Sequence, residues 1–212
     1  PLIKKSDRSI ADIWGIDILE DEIFIRTGNK ILLYQKDTIC SIHTASKIDY
    51  STIIDNEYYI NSIDSGMLKY NGKSFETITA SKLFKKKEVS GIFKFSKDTL
   101  LITTMNSGLF LLKNRKITPW KINDDNALIK GSIYCSTQVN ENIFAIGTSS
   151  NGLFLINKKG QITRHINRVS GLQNNSLLSV FSDKYSTLWI GLNNGIDYIE
   201  TSSPFSYIQP NN

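Results

Sequence analysis

Long apolar runs are missing from this chain, and short segments such as Gly108–Leu112 are the longest that it has. A helix that crosses a membrane needs about 20 consecutive apolar residues, so the sequence predicts no membrane span. A signal peptide is also missing, but the chain starts at Pro1 within a strand-like segment, Leu2–Lys4. We therefore expect a piece of a longer protein, so the missing signal peptide carries no information about location.

Cysteine is scarce, with only Cys40 and Cys135 in 212 residues. The two lack the short, clustered spacing of metal ligands, so no metal site is predicted. They fall in different copies of the repeat described below, too far apart for a disulfide, and we expect two buried thiols. Proline is also scarce, with four residues, so few segments are barred from β-strands by a missing N–H.

Acidic residues are too few to balance the basic ones, and the net charge is +5. Scattered lysines account for the excess, together with one run, Lys85–Lys87, beside Lys82. No aromatic residues alternate with that run, so the pattern favours a solvated loop over a nucleic-acid-binding surface. We expect this chain not to bind nucleic acid directly.

The sequence does contain an internal repeat, in which a strand, a turn of small residues and a second strand recur. The turn glycines are Gly66, Gly108, Gly152 and Gly195, which lie 42, 44 and 43 residues apart. A fifth, degenerate copy contains Lys30 at the glycine position. The copies span Ile23–Tyr34, Tyr58–Tyr70, Leu100–Leu112, Ile143–Ile156 and Leu188–Ile199.

A period near 42 residues that is rich in Ile, Thr, Phe and Tyr is typical of one four-stranded propeller blade. A helical solenoid needs apolar residues at i, i+3, i+4 and i+7 instead, and a β-sandwich predicts no such period. The sequence therefore predicts an all-β fold, a β-propeller of about five four-stranded antiparallel blades. The expected blades are residues 13–48, 49–82, 88–122, 131–168 and 176–209, after a blade end or linker (1–12) and before a tail (210–212).

The pattern leaves ring closure open. Five blades can close on themselves, with Leu2–Lys4 adding an outer strand to the last blade. They can equally form a partial, open-arc propeller from a larger protein. The remaining strands of the last two blades are expected at Ile133–Val139, Leu177–Phe181, Gln161–Ile166 and Phe205–Ile208.

The last copy resembles a known repeat. Residues 174–183 and 187–198, which contain Leu-Trp-Ile-Gly-Leu and an Asn-Gly turn, are similar to the two-component regulator propeller repeat. Ser186 stands where that repeat usually has a hairpin glycine, and Leu192 stands where threonine is common. The earlier copies match less well, and the first is only weakly similar.

This resemblance implies the extracytoplasmic sensor region of a bacterial hybrid two-component system of the Bacteroides type, or a related one-component regulator. Many such regions respond to oligosaccharides, and they usually contain two seven-bladed propellers. The resemblance therefore implies the partial, open-arc arrangement for the five blades. The expected function is a ligand-sensing propeller segment that controls transcription through a histidine kinase elsewhere in the receptor. The expected location is periplasmic, or cytoplasmic for a soluble one-component regulator. Expected partners are an oligosaccharide or another small molecule, further blades or domains of the same protein, and a second copy in a homodimer.

Signatures of catalysis are missing, because the sequence has no nucleophile elbow, phosphate loop or metal motif. No catalytic residue and no cofactor is assigned, and the chain is not expected to be an enzyme. Asp124-Asp125 favours a turn over a pair of catalytic acids, since the two are adjacent and flanked by asparagines. The alternatives to a sensor are a scaffold for protein contacts and, less favoured, a polysaccharide-cleaving propeller.

A ligand is expected at the face where the first strands begin and the turns between second and third strands lie. Amide side chains there can donate to and accept from sugar hydroxyls, although turn formation explains the same residues. The candidate ligand-binding residues are Asn106, Asn151, Asn174, Asn175, Asn193 and Asn194, with Ser107, Ser149, Ser150 and Gln173 nearby, and Trp14 in a first strand near the central channel.

The three tryptophans have different expected environments. Trp189 is expected to pack in the core between stacked blades. Trp14 is expected to be buried by packing, with stacking on a sugar ring as the alternative. Trp120 falls in an outer strand.

Overall fold

The computed structural model describes residues 12–44, 46–78, 83 and 85–201. They divide into two compact units, one containing residues up to Val89 with Asn114–Ile117, and the other containing Ser90–Lys113 and the residues from Thr118 onwards. In these ranges, no helix has both the length and the apolar character that crossing a membrane requires. The predicted segments Leu2–Lys4 and Phe205–Ile208, together with Lys82 and the tail, lie outside the described residues.

The first unit is built from two antiparallel sheets of four strands each. Strand order follows the chain, so every connection within a sheet is a hairpin. The first sheet consists of β1 (Ile13–Leu19), β2 (Glu22–Thr27), β3 (Lys30–Gln35) and β4 (Thr38–His43). The second sheet consists of β5 (Ile48–Ile54), β6 (Glu57–Ser62), β7 (Gly66–Tyr70) and β8 (Phe75–Thr77).

Three further sheets follow the same plan, and the second unit holds all or most of each. The third sheet consists of β9 (Val89–Ser96), β10 (Thr99–Thr104), β11 (Gly108–Lys113) and β12 (Lys116–Pro119). Helix α1 (Asp125–Gly131) precedes the fourth sheet, which consists of β13 (Ile133–Gln138), β14 (Ile143–Thr148), β15 (Leu153–Asn157) and β16 (Ile162–Ile166). A 3-10 turn, Arg168–Ser170, precedes the fifth sheet, which consists of β17 (Leu177–Ser182), β18 (Thr187–Leu192) and β19 (Gly195–Glu200).

The predicted all-β propeller fold is confirmed, because each of the five copies of the repeat forms one antiparallel sheet. Four sheets have four strands, and the fifth has three among the described residues. The predicted turn at Asp124-Asp125 is confirmed for Asp124, which lies in a turn directly before α1, and wrong for Asp125, which is the first residue of the helix. The Asp124 carboxylate caps the helix by accepting the Ala127 N–H at 3.1 Å, a role that aspartate fills as readily as a turn position.

The prediction of two buried thiols is wrong for Cys40. This residue lies on β4, the outer strand of its sheet, and is exposed. Cys135 lies on the first strand β13 and is half-buried, and burial raises the pKa of its thiol to about 12. The outer strand has fewer neighbours to cover its side chains, which accounts for the difference.

The hairpin between second and third strands determines which side chains face each core. In the fourth sheet, Ile146 pairs with Phe154 across this hairpin. Gly152 occupies the turn with a φ of 78°, and a Cβ there would come within 2.3 Å of the Ile166 carbonyl oxygen. Only glycine adopts this φ readily and has no Cβ to clash with the carbonyl. This explains why the repeat has glycine in this turn.

A threonine hydroxyl closes the same turn from the strand side. Thr148 Oγ1 donates to the Gly152 carbonyl at 2.8 Å and accepts the Asn151 N–H at 2.9 Å. These two hydrogen bonds satisfy the buried Thr148 hydroxyl within the hairpin. Equivalent bonds join Thr27 to the Lys30 carbonyl and Thr104 to the Gly108 carbonyl.

The two departures from the resembled repeat have different physical consequences. Ser186 adopts a φ of 63°, in the left-handed region where glycine is usual. Leu192 has no hydroxyl for the turn and is buried with Leu177 and Leu188. Ser186 therefore carries backbone strain, whereas Leu192 exchanges a hydrogen bond for apolar burial.

Each unit has its own apolar core between stacked sheets. In the first unit, Phe24 of the first sheet packs on Tyr58 of the second, with ring centroids 4.2 Å apart. In the second unit, one cluster around Phe144 joins the third and fourth sheets. Another, around Leu155 and Leu188, joins the fourth and fifth sheets. The fourth sheet thus has both faces buried.

We expect Thr148→Val to lower the free energy of unfolding by roughly 1–2 kcal/mol, because valine keeps the shape of the buried side chain but loses both hydrogen bonds of Oγ1. Urea denaturation of the whole chain measures the change. Thr137→Val, on the half-buried strand β13, is the matched control and should be close to neutral. Equal effects of the two substitutions would show that the turn hydroxyl contributes nothing.

We expect Ser186→Gly to raise the free energy of unfolding by about 0.5–1 kcal/mol, because glycine relieves the left-handed strain at the cost of a more flexible unfolded chain. Ser182→Gly is the control, since both serines donate to the Val139 carbonyl at 3.5 Å. Ser182 lies in a strand, so glycine there should destabilise. A loss of stability in both variants contradicts the assignment of strain to Ser186.

Candidate functional site

One end of the sheets in the second unit carries the six candidate asparagines. The pairs Ile133–Thr148 and Leu177–Leu192 place the start of each first strand beside the end of the second strand. The turns between second and third strands therefore share an end with the first-strand starts. This turn end carries Asn106, Asn151, Asn174, Asn175, Asn193 and Asn194.

Two of these asparagines hold α1 in place. Asn106 Oδ1 accepts the Ser132 hydroxyl at 2.9 Å, directly after the helix. Asn151 Nδ2 donates to the Ala127 carbonyl at 3.2 Å, within the helix. Their side chains therefore have structural partners, and α1 is anchored from turns of the third and fourth sheets.

Asn174 and Asn175 shape the segment that leads into β17. Asn174 Oδ1 accepts the Ser176 N–H at 3.0 Å, and Asn175 Oδ1 accepts the Arg168 N–H at 2.8 Å. The Asn175 carbonyl also accepts the Gly152 N–H at 2.9 Å. These contacts form turns. Of the two explanations that the sequence allows for these asparagines, ligand binding and turn formation, they agree with turn formation.

The turn of the fifth sheet differs from the others. Asn193 and Asn194 are exposed, and neither side-chain amide has a hydrogen-bond partner in the described part of the chain. Beside them, the Asp197 carboxylate accepts the Gln173 N–H at 2.9 Å and the Gln173 side-chain amide at 2.6 Å. We call these four residues the polar patch, since their amides and carboxylate can exchange hydrogen bonds with hydroxyl groups.

A β-bulge recurs near the start of the first strand in the first, second, fourth and fifth sheets. An extra residue at a bulge changes the direction of a side chain and bends the strand. The bulge residues are Trp14, Asp49, Tyr134 and Leu178. Each of them directly follows the first apolar residue of its first strand, and this shared place is the signal in the sequence. Of the four, only Trp14 was predicted from the sequence as a site residue.

Arg26 connects both bulges of the first unit. Its Nη2 donates to the Trp14 carbonyl and its Nη1 to the Asp49 carbonyl, each at 3.0 Å. Its Nε donates to Ser51 Oγ at 3.0 Å, and Ser51 in turn donates to Asp17 Oδ2 at 2.6 Å. Burial lowers the pKa of Arg26, while neighbouring acidic groups oppose that shift. The planar guanidinium suits this fork of three acceptors.

The Asp49 side chain is held by its own sheet and by the first residue of the third sheet. Its carboxylate accepts Asn61 Nδ2 at 2.9 and 3.1 Å and the Val89 N–H at 2.8 Å. Burial raises the pKa of Asp49, and these hydrogen bonds oppose the rise. The carboxylate therefore fixes local structure, and its contacts leave it poorly placed to act on a substrate.

Two expectations for tryptophan are wrong. Trp14 is exposed, because the bulge turns it away from the core, so its ring can stack on a ligand. Trp189 is also exposed, and its Nε1 donates to Asp183 Oδ2 at 3.2 Å. No described element covers the face of the fifth sheet on which Trp189 lies. Trp120 directly follows the outer strand β12 and contacts Phe95 at 5.2 Å between ring centroids.

Features of other site classes lie elsewhere. A cavity of about 200 Å³ opens beside Val139, Asn140 and Arg164, at the end opposite the asparagine turns. Among the described residues, no three His, Cys, Asp or Glu side chains are placed to hold a metal ion. His165 Nε2 lies 2.7 Å from the Asn151 carbonyl and stacks on Phe154, so its contacts are local.

The fold defines a β-propeller protein, and several solved structures share this fold. No protein-family model matches the chain. No curated protein sequence matches it. The extracellular domain of BT3049 from B. thetaiotaomicron, assigned to a hybrid two-component system, is similar with a TM-score of 0.78 and 15% identity over 94% of this chain. The extracellular domain of BT4673 from the same bacterium, assigned to a one-component system, has a TM-score of 0.70 and 20% identity over 89% of this chain.

The chain spans only 28% and 27% of those two chains. The WD40 propeller domain of Doa1 is also similar, with a TM-score of 0.72 and 9% identity over 96% of this chain and 67% of that one. At such identities the similarity shows a shared propeller fold. The neighbours include extracellular domains of both kinds of system that the resembled repeat implies, so that recognition is confirmed at the level of the fold.

We expect Arg26→Met to lower the free energy of unfolding by about 2–4 kcal/mol, because the stem is kept while two partly buried hydrogen bonds and one exposed hydrogen bond are lost. Arg26→Lys should have a free energy of unfolding between those of the wild type and the methionine variant, since an ammonium cannot reach all three acceptors at once. Urea denaturation measures both. A methionine variant as stable as the wild type would show that the fork of donors has no structural role.

Proposed function

We propose that this chain is a ligand-sensing segment of a bacterial two-component receptor, or of a related one-component regulator, and that it detects oligosaccharides. The observation that carries the proposal is the polar patch. Its asparagine amides are exposed and have no partner among the described residues, unlike the amides of the other turns, which are used in structural hydrogen bonds. The extracellular domains with the same fold support this proposal.

A sugar fits the chemistry of the patch. Each amide offers a donor and an acceptor, which matches a hydroxyl group that also does both. Asp197 adds a carboxylate oxygen, a stronger acceptor than a neutral carbonyl. In the first unit, the exposed ring of Trp14 offers the apolar surface on which a pyranose can stack.

Signalling requires more than binding. A ligand shifts an equilibrium between two packings only by its difference in affinity for them. We propose that ligand binding at the turn end changes how propellers pack or dimerise, and that the receptor controls transcription from a periplasmic sensor. A cytoplasmic location belongs to the soluble one-component alternative.

A scaffold for protein contacts is the second candidate function. It is favoured by exposed apolar side chains on the first and fifth sheets, including Ile16 and Tyr198. A polysaccharide-cleaving enzyme has less support. The acids of the first two sheets that share the Arg26 network, Asp17 and Asp49, both accept hydrogen bonds from structural donors.

The proposal is tested by a thermal-shift screen of the chain against plant, host and microbial oligosaccharides. We expect a selective rise in melting temperature with one class, because a ligand that binds the folded state stabilises it. Asn193→Ala with Asn194→Ala should weaken binding by about tenfold or more through the lost hydrogen bonds.

Asn142→Ala is the matched control, since Asn142 is an exposed asparagine at the opposite end of the fourth sheet. It should leave the affinity unchanged. No shift across the panel, with the chain folded by circular dichroism, would favour the scaffold. Equal losses in the patch variant and the control would place the binding site elsewhere.

A further inference from the structure

Tyr134 is exposed although it lies in the fourth sheet, which is covered on both faces. One cluster joins that sheet to the third sheet, and another joins it to the fifth. Even so, the Tyr134 side chain is 46% exposed. Within the described part of the chain, its hydroxyl has no hydrogen-bond partner and its ring contacts no other ring. Sheets stacked beyond the third or the fifth would not cover this residue, because the two neighbours of its own sheet are already in place.

The β-bulge of β13 accounts for the exposure. In a regular strand, side chains two residues apart point to the same face. Here Ile133 packs in the cluster between the third and fourth sheets, whereas Cys135 packs against the cluster between the fourth and fifth. Ile133 pairs with Thr148 and Cys135 with Gly147, so Tyr134 is the extra residue between them. Tyr134 therefore belongs to neither face, and it lies on the edge strand of the sheet.

Asn106 lies beside the start of the same strand. The Met105 carbonyl accepts the Ile133 N–H at 2.8 Å, and Asn106 Oδ1 accepts the Ser132 hydroxyl at 2.9 Å. These two bonds hold the Asn106 side chain next to the residues that directly precede Tyr134. Asn106 is exposed, and no hydrogen bond among the described residues uses its Nδ2. Its amide thus has a fixed oxygen and a donor that is available to a ligand.

We propose that Tyr134 and Asn106 form a subsite for one sugar ring, a pyranose whose hydroxyls are equatorial. The axial C–H groups of such a ring give it a flat apolar face, which stacks on the electron-rich face of an aromatic side chain. Its hydroxyls point outward from the rim, where Asn106 Nδ2 can donate to one of them. Ser132, which holds Asn106, and Tyr134 are two residues apart, roughly 7 Å along a strand, so a single ring can contact both side chains.

This subsite rests on the proposed function, because it adds a contact for the same class of ligand. It lies at the turn end of the sheets in the second unit, as the polar patch does. The polar patch offers only hydrogen bonds, whereas Tyr134 offers an apolar surface. A ligand with several sugar rings can use both surfaces, which a single sugar cannot.

Saturation-transfer NMR of the whole chain with methyl β-D-glucopyranoside tests the subsite. This glucoside has a single ring with equatorial hydroxyls, so its binding does not need a second contact at the polar patch. We expect the wild type to transfer saturation to the ring protons of the glucoside. Sorbitol carries similar hydroxyls but has no ring, so it should receive little saturation.

Variants assign the binding to named side chains. Tyr134→Leu should weaken glucoside binding by about tenfold, because leucine remains apolar but has no flat ring. Tyr134→Phe keeps the ring and should bind like the wild type. Asn106→Ala should weaken binding by about fivefold through the lost donor. Tyr185→Leu is the matched control and should change nothing, since Tyr185 is 70% exposed in the hairpin between β17 and β18, at the opposite end of the fifth sheet. Thermal melting establishes that each variant is folded.

The outcomes separate the subsite from the proposed function. Glucoside binding that Tyr134→Leu weakens and Tyr185→Leu does not supports the subsite. A wild type that transfers no saturation to the glucoside overturns it, and so does binding that Tyr134→Leu leaves unchanged. Equal losses in the leucine and phenylalanine variants would overturn stacking on the ring. In each of these cases the proposed function still stands if an oligosaccharide binds and depends on Asn193 and Asn194. If no oligosaccharide of the panel binds while the glucoside binds through Tyr134, the subsite stands and the oligosaccharide sensor does not.

Discussion

The fourth sheet has to bury both of its faces, and much of the structure depends on that constraint. A slip of one residue in strand pairing would turn every side chain to the opposite face. The hairpin closed by Gly152 and Thr148 prevents such a slip, because its backbone and hydroxyl contacts allow one register. The same hairpin places Asn151 at the turn end, so the requirement for a buried sheet also positions polar groups at the surface.

One position of the repeat contacts the first strand of the next sheet in two different ways. In the second unit it is Gly147, where a Cβ would come within 2.9 Å of a Leu177 side-chain carbon. In the first unit the equivalent residue is Arg26, which reaches Ser51 and the Asp49 carbonyl with its guanidinium. Close packing in one unit and hydrogen bonding in the other thus both join the second strand of a sheet to the first strand of the next sheet. This explains why early copies diverge from the repeat without losing the fold.

The fifth sheet carries polar and apolar side chains on one hairpin. The polar patch lies at the turn end of the sheet, whereas Trp189 pairs with Tyr198 across its middle. Both groups depend on β18 and β19, which hold Trp189, Tyr198 and Asp197 in one hairpin.

The sequence by itself determined the repeat, the strands around each turn glycine and the all-β propeller class, because those depend on contacts between residues close in the chain. It also placed the asparagines in turns. Only the tertiary structure decided which of their amides have partners, and that Trp14, Trp189 and Cys40 are exposed. The Arg26 network also depends on the tertiary structure, because it joins residues of two sheets. Exposure and hydrogen bonding depend on which distant segment covers a side chain, and local pattern carries no record of that segment.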